Sequence, residues 1–518
     1  MPGRGRNTRS TRCTRTILLC ILCIFLCSAC IVRTSGDSDI ITVALDQPPT
    51  NLDPRIGVDA SSERFFQIIF NSLVRKDEHS EIQPDLADSW DVPEPRTYIF
   101  HLHHGVKFHD GRELTARDVV FTFQTILDRS VQTSKLGMFE RIQSVDAQDA
   151  YTAVFKLKEV FAPFLWNIAD GAVGIIPEGS GAGFARHPIG TGPFIFDHYT
   201  QDQEVVLRRN DNYFGTKASV SILRFKIIPE AVVAALELRK GSVDIALNVL
   251  TPDMDEVLKK DPDLVVMEAE GTNYQYIAFN LTDHLFSDAR IRQAIAYAID
   301  RDALIKYLWR GEGRSATGVL TPDNWAYEGN VMTYSRDVAR AKELLKEAGH
   351  EHLSFTYRTS NDDIARLMAA AFQQQLARAG IAMEIRATES ATFFADLDAG
   401  NFQMYSARWV GGNEDPDFFN LVFHSMMTPP KGRNRGHYSN SRVDELIDFG
   451  RQELDVQKRI KAYREVQQIV AKDLPYVNLF YRNNVCVYNK QVGGVKIYPN
   501  ANWTYLTSVY KFARNGSD

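Results

Sequence analysis

The body of this 518-residue chain has almost no cysteine. Five of the six cysteines lie within the first 30 residues, and the sixth, Cys486, stands alone. A disulfide framework needs paired thiols and a cysteine-based zinc site needs several thiolates, so both are excluded from the body of the chain. Cys486 lies between Val485 and Val487, which predicts a buried and inert thiol.

A surplus of basic side chains is also missing. The chain carries 59 Lys and Arg against 65 Asp and Glu, a formal net charge of −6. Nucleic-acid binding depends on clustered Lys and Arg at phosphates, so this balance argues against a nucleic-acid partner. With 44% hydrophobic and 24% charged residues, the composition is typical of a globular protein, and the length predicts two to four domains.

The chain lacks the common motifs of enzyme chemistry. It contains no G-x-x-x-x-G-K-[ST] phosphate loop, no G-x-S-x-G nucleophile elbow and no H-E-x-x-H zinc helix. The glycine-rich segment 177–183 is followed by no lysine, so we interpret it as a flexible connection. His101 and His103 have strand spacing in a polar stretch, with no acidic or cysteine ligand at metal-site spacing, which predicts an exposed face. We therefore predict no catalytic residue, no metal and no cofactor.

The first 30 residues have the pattern of an export signal. Five arginines and no acidic residue precede an apolar run at 17–27, which is shorter than the about 20 residues of a transmembrane helix. The segment then resembles a bacterial lipoprotein signal, in which small residues precede a cysteine that is acylated and begins the mature chain. The small residues here are Ser28 and Ala29. The sequence departs from the usual pattern at Cys27, where leucine is usual. Cys30 is the expected lipidation site. A plain cleaved signal and an uncleaved anchor are the alternatives, and all three export the protein.

Loss of residues 1–30 would change the charge balance. It removes five arginines and leaves 54 Lys and Arg against 65 Asp and Glu, a net charge of −11. Such an acidic chain favours solubility and disfavours a basic membrane-surface role. Residues 31–39 become polar towards their end and are predicted to be a tether.

Hydrophobic periodicity predicts helices and strands in the mature chain. Residues 40–44 are β-branched and predict a buried strand, and 98–103 alternate as in a half-exposed strand. A helix–glycine–strand order at 362–387 suggests α/β layering. Four helices are predicted. The first has a stripe of Ile291, Ala294, Ile295, Ala298 and Ile299 behind a cap at Ser287 or Asp288. The second has a stripe of Val338, Ala341, Leu345 and Ala348 behind a cap at Ser335, with Gly349 just past its end. The third runs from 362 to 379 and is ended by Gly380, and the fourth spans 456–473 and is ended by Pro475.

An ordered series of short motifs runs through the mature chain. Each alone has an ordinary structural explanation, such as a turn at 52–54 or a tight backbone turn at 190–193. In chain order the motifs are ALDQPPTNLDP (44–54), PDLADSW (84–90), YIFHL (98–102), GVKFHDG (105–111), LTARDVVF (114–121), GTGPF (190–194), RNDNYF (209–214), FN (279–280) and RQAIAYAIDR (292–301). Together they resemble the extracytoplasmic solute-binding proteins of ABC importers, in the oligopeptide/dipeptide/nickel-binding family (bacterial extracellular solute-binding protein family 5). The resemblance covers about residues 40–514.

The resemblance implies an α/β fold like that of type II periplasmic binding proteins, with two lobes and a hinge, in the large three-domain variant. Domain I would comprise 40–82, 186–275 and 487–518, domain II would be an insertion at 83–185, and domain III would span 276–486. Ligand would lie in a cleft between domains I and III, which close around it by hinge motion.

The segment 407–419 is the most informative part of the resemblance. In peptide-binding members a tryptophan is followed three residues later by an aspartate that pairs with the terminal ammonium of the peptide. Aligned on Trp409 and on Asp415-Pro416, that position is Gly412 here, so the usual ammonium anchor is missing. A buried charge that loses its partner costs roughly 3–5 kcal/mol, so this departure bears directly on the ligand.

Three explanations of the departure stay open. In the first, Glu414 or Asp415 supplies the charge from a shifted loop. Alternatively, the ligand is a peptide held through its backbone by strand-like hydrogen bonds. The third explanation is a ligand without a free amine, such as a sugar, a metal chelate or a modified peptide. Solute uptake is expected under all three, and the identity of the ligand stays open.

The same alignment places other residues at the predicted cleft. Thr359, Ser360 and Asn361 match a ligand-facing segment, although Ser and Asn there also suit a helix cap. Trp409 suits either stacking on ligand or packing in the core. The predicted ligand-binding residues are Gly57, Val58, Asp59, Thr359, Ser360, Asn361, Trp409, Val410, Gly411, Gly412, Glu414 and Asp415.

The sequence therefore predicts an exported, lipid-anchored, monomeric solute-binding component of an ABC importer. It would capture a peptide or peptide-like solute and deliver it to inner-membrane permease subunits, and separate subunits would use the ATP. The alternatives are a binder of a non-peptide solute, a sensor or chaperone with the same fold, and an exported enzyme. An ordered nucleophile–base–acid set around one pocket would favour the enzyme.

Overall fold

A computed structural model describes residues 39–77, 81–169, 173–410 and 415–512. The predicted export signal with Cys30, and nearly all of the predicted tether, lie outside the described residues. Within those ranges, we find no helix with both the length and the apolar character needed to cross a membrane.

The described residues form both strands and helices, in alternation along much of the chain. The strands are β1 (Ile40–Leu45), β2 (Val74–Lys76), β3 (Ile82–Pro84), β4 (Ala87–Glu94), β5 (Thr97–Leu102), β6 (Ile142–Asp149), β7 (Thr152–Leu157), β8 (Phe194–Thr200), β9 (Glu204–Arg209), β10 (Ile222–Ile227), β11 (Ile245–Leu247), β12 (Leu264–Phe279), β13 (Gly313–Ser315), β14 (Ser354–Ser360), β15 (Ala382–Thr388), β16 (Met404–Trp409), β17 (Tyr476–Asn489), β18 (Val492–Gly493) and β19 (Tyr510–Lys511). The helices are α1 (Ala60–Ile69), α2 (Ala116–Leu127), α3 (Leu136–Phe139), α4 (Phe164–Asn167), α5 (Ala231–Lys240), α6 (Pro252–Leu258), α7 (Ala289–Ala298), α8 (Arg301–Leu308), α9 (Val338–Glu347), α10 (Asp363–Ala377), α11 (Ser390–Asp398), α12 (Phe418–Phe423), α13 (Ser441–Gln452) and α14 (Val456–Asp473).

The largest sheet has eleven strands and two halves. In the first half-sheet, β1 pairs in parallel with β10 and β11, and β9 and β8 extend the edge. In the second half-sheet, β14 pairs in parallel with β15 and β16. The long strands β12 and β17 pair with each other between the two halves. The 16 residues of β12 make about 50 Å of extended chain, enough to reach from one half to the other. Parallel strands connected through helices confirm the predicted α/β class.

A separate four-stranded antiparallel sheet has the order β4-β5-β7-β6. Together with α2–α4 it forms what we call the small-sheet unit, residues 87–169. Phe155 is central to its core: the ring of Phe123 packs edge-on against it at 4.9 Å, and that of Phe100 at 5.5 Å. Alternate residues of β5 are buried, which confirms the predicted half-exposed strand.

The helix caps agree with the sequence at one helix and differ at another. Asp288 caps α7, because its carboxylate accepts a hydrogen bond from the backbone N–H of Arg290 at 2.8 Å. The predicted cap Ser335 of α9 is wrong: Asp337 caps that helix by accepting from the backbone N–H of Arg340 at 2.9 Å. A carboxylate at this position also interacts favourably with the helix dipole, which a serine hydroxyl does not do.

The histidine pair and the lone cysteine lie as the sequence predicts. His101 Nε2 is 2.9 Å from an Asp91 carboxylate oxygen, His103 Nδ1 is 2.5 Å from one of Asp88, and both imidazoles are partly exposed. Across the described ranges, no three His, Cys, Asp or Glu side chains are grouped so as to hold a metal. Cys486 is fully buried, and burial raises the pKa of its thiol far above the ordinary value, which makes it inert.

Candidate functional site

The carboxyl ends of the parallel strands in both half-sheets point towards the same part of the molecule. In the first half-sheet, β11 ends at Leu247, which pairs with Cys486 of β17. In the second, β16 ends at Trp409, which pairs with Tyr274 of β12, and Tyr274 pairs in turn with Tyr481 of β17. The two sets of strand ends therefore approach each other along β17. Ligands of open α/β sheets bind outside the carboxyl ends of the strands, so this junction is the candidate site.

The junction is also where β12 and β17 break their regular pairing. The register between the two strands shifts between Ala269 and Asn273. At Gly271, inside this break, a Cβ would lie 2.3 Å from the carbonyl oxygen of Arg482, so a side chain has no room there. Because an interrupted ladder is where a sheet bends most easily, this break is the candidate hinge.

The predicted ligand-binding residues Gly57, Val58 and Asp59 lie at the start of α1, and we call them the wall of the candidate site. Asp59 caps the helix: its carboxylate accepts hydrogen bonds from the Ser62 N–H at 2.9 Å, from the Ser62 hydroxyl at 2.6 Å and from the Thr50 hydroxyl. Burial pushes the pKa of Asp59 up, but these hydrogen bonds outweigh burial and the pKa is lowered. The Asp59 carboxylate is therefore engaged locally, whereas the Val58 side chain is 55% exposed.

Gly57 has a steric role in this wall. A Cβ at this position would lie 2.3 Å from the carbonyl oxygen of Asn51 and 2.7 Å from the Phe66 ring. The turn after β1 is folded so tightly against α1 that no side chain fits. Gly57 thus shapes the wall through its backbone.

The predicted segment at the end of β14 places its three residues in different environments. Thr359 is buried, Ser360 donates a hydrogen bond to the Asp362 carboxylate, and Asn361 is exposed. Asp362 is the cap of α10, accepting from the Ala365 N–H at 3.0 Å, so neither Ser360 nor Asn361 serves as the cap. Asn361 is the member of this segment whose side chain is open to solvent.

Trp409 belongs to an aromatic stack at the end of β16. Its ring lies parallel to that of Tyr276, with centroids 6.2 Å apart and an interplanar angle of 7°. The Phe418 ring packs edge-on against it at 5.0 Å. The indole is only partly buried, so it combines core packing with an accessible surface, and Val410 beside it is 46% exposed.

Asp415 is engaged in an internal ion pair. Each of its carboxylate oxygens lies 3.1 Å from Nη2 of Arg459, and both side chains are almost fully buried. Burial raises the pKa of Asp415, and Arg459 opposes that rise. A carboxylate held in this way has no free oxygen for a ligand ammonium, which leaves Glu414 as the remaining acid of the shifted-loop explanation. Gly411, Gly412 and Glu414 lie outside the described residues.

Two arginines beside this segment were missed by sequence reasoning. Arg459 on α14 pairs with Asp415, and Nε of Arg451 on α13 lies 2.6 Å from Oδ1 of Asp417. Each arginine is more than 30 positions away from its aspartate along the chain. Charged residues on amphipathic helices usually form a solvated face, so the spacing carries no signal of this pairing.

Two buried acids lie near the junction without an ion-pair partner in the described part of the chain. Asp255 on α6 and Glu312 ahead of β13 are each 2% exposed, and one carboxylate oxygen of each has no hydrogen-bond partner there. Burial raises the pKa of Asp255 to about 7 and that of Glu312 to about 8, and repulsion from Asp255 adds to the rise at Glu312. Arg482, which stacks on Trp309 at 3.8 Å, opposes both rises.

Comparison with known proteins agrees with this geometry. Residues 81–426 match the family model described as "Bacterial extracellular solute-binding proteins, family 5 Middle". The di/tripeptide-binding protein 1 of Pseudomonas aeruginosa is 31% identical over 490 residues, which cover 88% of this chain and 90% of that protein.

Solved structures are similar over nearly the whole chain. DppA from Helicobacter pylori, in complex with the peptide STSA, has a TM-score of 0.80 and 28% identity, covering 91% of this chain and 98% of its own. NikZ from Campylobacter jejuni, in complex with Ni(L-His), has a TM-score of 0.80 and 25% identity, covering 92% and 100%. These matches confirm the resemblance that the ordered motifs carry. The chain belongs to family 5 of the bacterial extracellular solute-binding proteins.

Proposed function

We propose that this chain is the substrate-binding component of an ABC importer, which captures a short peptide outside the cytoplasm and delivers it to permease subunits. The observation that carries the proposal is the junction, where strand ends of both half-sheets meet at a break in the β12–β17 pairing. Two bodies joined by such a break can close by hinge rotation, and a ligand shifts them towards the closed form by its preference for that form. The peptide-binding relatives support a peptide as the solute.

We further propose the three-domain division that the sequence predicts. The first half-sheet would belong to domain I (40–82, 186–275 and 487–518), the small-sheet unit to domain II (83–185) and the second half-sheet to domain III (276–486). Separate hydrophobic cores of the described residues support this division: two flank the first half-sheet, one lies in the small-sheet unit, and two flank the second half-sheet.

Recognition through the peptide backbone is the mode that the side chains favour. Gly412 has no charge to offer an ammonium group, and Asp415 is occupied by Arg459. An extended peptide can instead exchange main-chain hydrogen bonds with the segments that follow β14 and β16, while Trp409, Val410 and Asn361 contact its side chains. Such a site would tolerate changes at the amino terminus of the peptide.

Isothermal titration calorimetry with matched free and N-acetylated di-, tri- and tetrapeptides tests the proposal. We expect binding, and we expect acetylation to weaken it less than tenfold because the ammonium group has no dedicated partner. A panel without any binder would contradict peptide capture. A loss of more than a hundredfold on acetylation would contradict backbone recognition and would point to an ammonium anchor such as Glu414.

Substitution of Trp409 tests the location of the site in the same experiment. Trp409→Ala is expected to weaken peptide binding at least tenfold, because it removes the accessible ring at the end of β16. Trp90→Ala, which removes a partly buried indole of the small-sheet unit, is the matched control and should bind as the wild type does. Equal affinity of both variants would place the ligand elsewhere.

The chain is further proposed to be a monomer, anchored through an acylated Cys30, that performs no reaction. Mass spectrometry of the membrane-extracted protein should find a mature chain that begins at Cys30 with a diacyl addition, and Cys30→Ser should lack it. A mature chain that begins at another residue would contradict the anchor. Peptides recovered after titration should be intact, and their hydrolysis would contradict a pure binding role.

A further inference from the structure

We propose that Arg451 is a positioning residue for Trp409 and that the small-sheet unit supports it, an inference that rests on the proposed function of the site. The small-sheet unit contacts the second half-sheet region at α13. There, the backbone N–H of Ala162 donates a hydrogen bond of 2.8 Å to the carbonyl oxygen of Arg451. The two units are thus joined at the residue whose side chain faces the segment after Trp409.

The Arg451 side chain contacts both units at once. Its guanidinium carbon lies 5.3 Å from the centre of the Phe161 ring in the small-sheet unit, where the ring face attracts the positive charge. Its Nε lies 2.6 Å from Oδ1 of Asp417, and only 11% and 19% of the two side chains are exposed. A partly buried pair is screened less than a surface pair. One side chain therefore links Phe161 to Asp417.

Asp417 leads directly to the indole of Trp409. The next residue, Phe418, is the first of α12, and its ring packs edge-on against Trp409. On another side, Trp409 stacks on Tyr276. Because Phe418 is one of the two rings that confine the indole, a displacement of Asp417 would loosen Trp409.

The small-sheet side of this link is firmly held. Phe161 is 2% exposed and belongs to the core of the small-sheet unit. Arg141 lies over the same ring at 4.8 Å and pairs with Glu159 at 2.7 Å, so two guanidinium groups lie close to the Phe161 ring. The position of Arg451 is therefore set by a packed core. This gives the small-sheet unit a role in ligand capture, by holding the aromatic stack from a distance.

Hydrogen-exchange mass spectrometry on the full chain without ligand tests the link. Phe161→Leu keeps an apolar side chain but removes the aromatic face, and Arg451→Ala removes the guanidinium. We expect amide exchange in 415–420 to be at least threefold faster in both variants, and Arg451→Lys to restore part of the protection. The matched control is Arg442→Ala on the same helix, an exposed arginine that pairs with the partly exposed Glu465; it should leave 415–420 unchanged.

Ligand release supplies the second measurement. We expect a bound peptide to dissociate about tenfold faster from Arg451→Ala and at the wild-type rate from Arg442→Ala. Wild-type exchange in 415–420 of both Phe161→Leu and Arg451→Ala would overturn the inference, as would an Arg451→Ala variant that melts earlier but releases peptide at the wild-type rate. A wild-type chain that binds no peptide would instead contradict the proposed function, and the exchange experiment would still decide whether Phe161 and Arg451 hold this segment.

Discussion

Buried charges occur in two contrasting arrangements around the junction. Asp415 meets Arg459 at 3.1 Å through both oxygens, and Arg459 also donates to the Gly450 carbonyl oxygen at 2.9 Å. Asp255 and Glu312 are as deeply buried, yet no cation in the described ranges lies within ion-pair distance of either. In the first arrangement an opposite charge offsets the cost of burial. In the second, the carboxyl groups reduce that cost by taking up protons.

The two sides of the junction therefore have different physical properties. The paired arrangement lies beside Trp409, where one geometry must be specified, and a buried pair tolerates little displacement. Of the two unpaired acids, Asp255 lies on α6, which follows the first half-sheet, and Glu312 lies in the segment between α8 and β13. Uptake of a proton by either acid changes the charge where α6 meets this segment. The side of the junction at Asp415 thus holds a buried ion pair, and the side at α6 holds two acids with raised pKa values.

Breaking the paired arrangement is expected to have the largest effect. Arg459→Ala leaves the Asp415 carboxylate buried without compensation, which costs about 3–5 kcal/mol of the free energy of unfolding. Urea denaturation followed by fluorescence measures the loss. The double variant with Asp415→Asn removes the uncompensated charge and should recover part of the lost free energy of unfolding. An Arg459→Ala variant as stable as the wild type would show that the pair does not hold this segment.

Neutralising the unpaired acids is expected to have an intermediate effect that depends on pH. Their pKa values rise on folding from the ordinary 3.8 and 4.5 to about 7 and about 8, so the folded chain holds the protons more tightly than the unfolded chain. The stability from these groups is therefore complete below about pH 4 and is lost as the pH rises through 7 and 8. The pKa values of these two acids also depend on the charges of their neighbours, which are Lys259, Arg482, Glu268 and Glu256.

Thermal melting between pH 5 and 9 measures this dependence. Asp255→Asn combined with Glu312→Gln should melt a few degrees higher than the wild type at pH 9, since 1 kcal/mol corresponds to about 1 °C for a chain of this length. The advantage should shrink towards pH 5. Asp253→Asn, which changes an exposed acid on the same helix that pairs with Arg310, is the control and should follow the wild-type profile. A constant difference between variant and wild type at every pH would contradict the titration of these acids.

The smallest effect is expected at an ion pair outside both arrangements. Arg366 and Asp363 on α10 are 2.5 Å apart and largely exposed. Because water and salt screen such a pair, Arg366→Ala should change the free energy of unfolding by less than about 0.5 kcal/mol in the same urea titration. A loss comparable to that of Arg459→Ala would mean that burial does not determine how much an ion pair contributes to stability.

The helices indicate which features local sequence predicts well. Apolar spacing and Gly380 predict a helix over 362–379, and α10 spans Asp363–Ala377 with Gly380 at a φ of 87°. The local pattern predicts Ser335 as the cap of α9, whereas Asp337 caps this helix in the structure. The backbone N–H of Asp337 donates to the Tyr297 carbonyl oxygen at 2.8 Å, and this contact with a distant residue selects where the helix begins.

At the candidate site, sequence reasoning found single residues but not their partners. Trp409 follows from its motif, whereas its contacts with Tyr276 and Phe418 arise from strand pairing and from the fold of the segment after it. The link from Phe161 to Arg451 joins different units of the fold. No spacing along the chain predicts that these residues meet.

The sequence by itself determined the α/β class, the approximate spans of the four predicted helices, the family and the lack of a disulfide framework in the body of the chain. These properties depend on local periodicity, on composition and on the order of motifs, all of which are read along the chain. Only the tertiary structure decided that Asp415 meets a cation and that Asp255 meets none within the described part of the chain. The free energy of a charged group depends on its burial and on the distance to its partners in space, and the linear order of residues specifies neither.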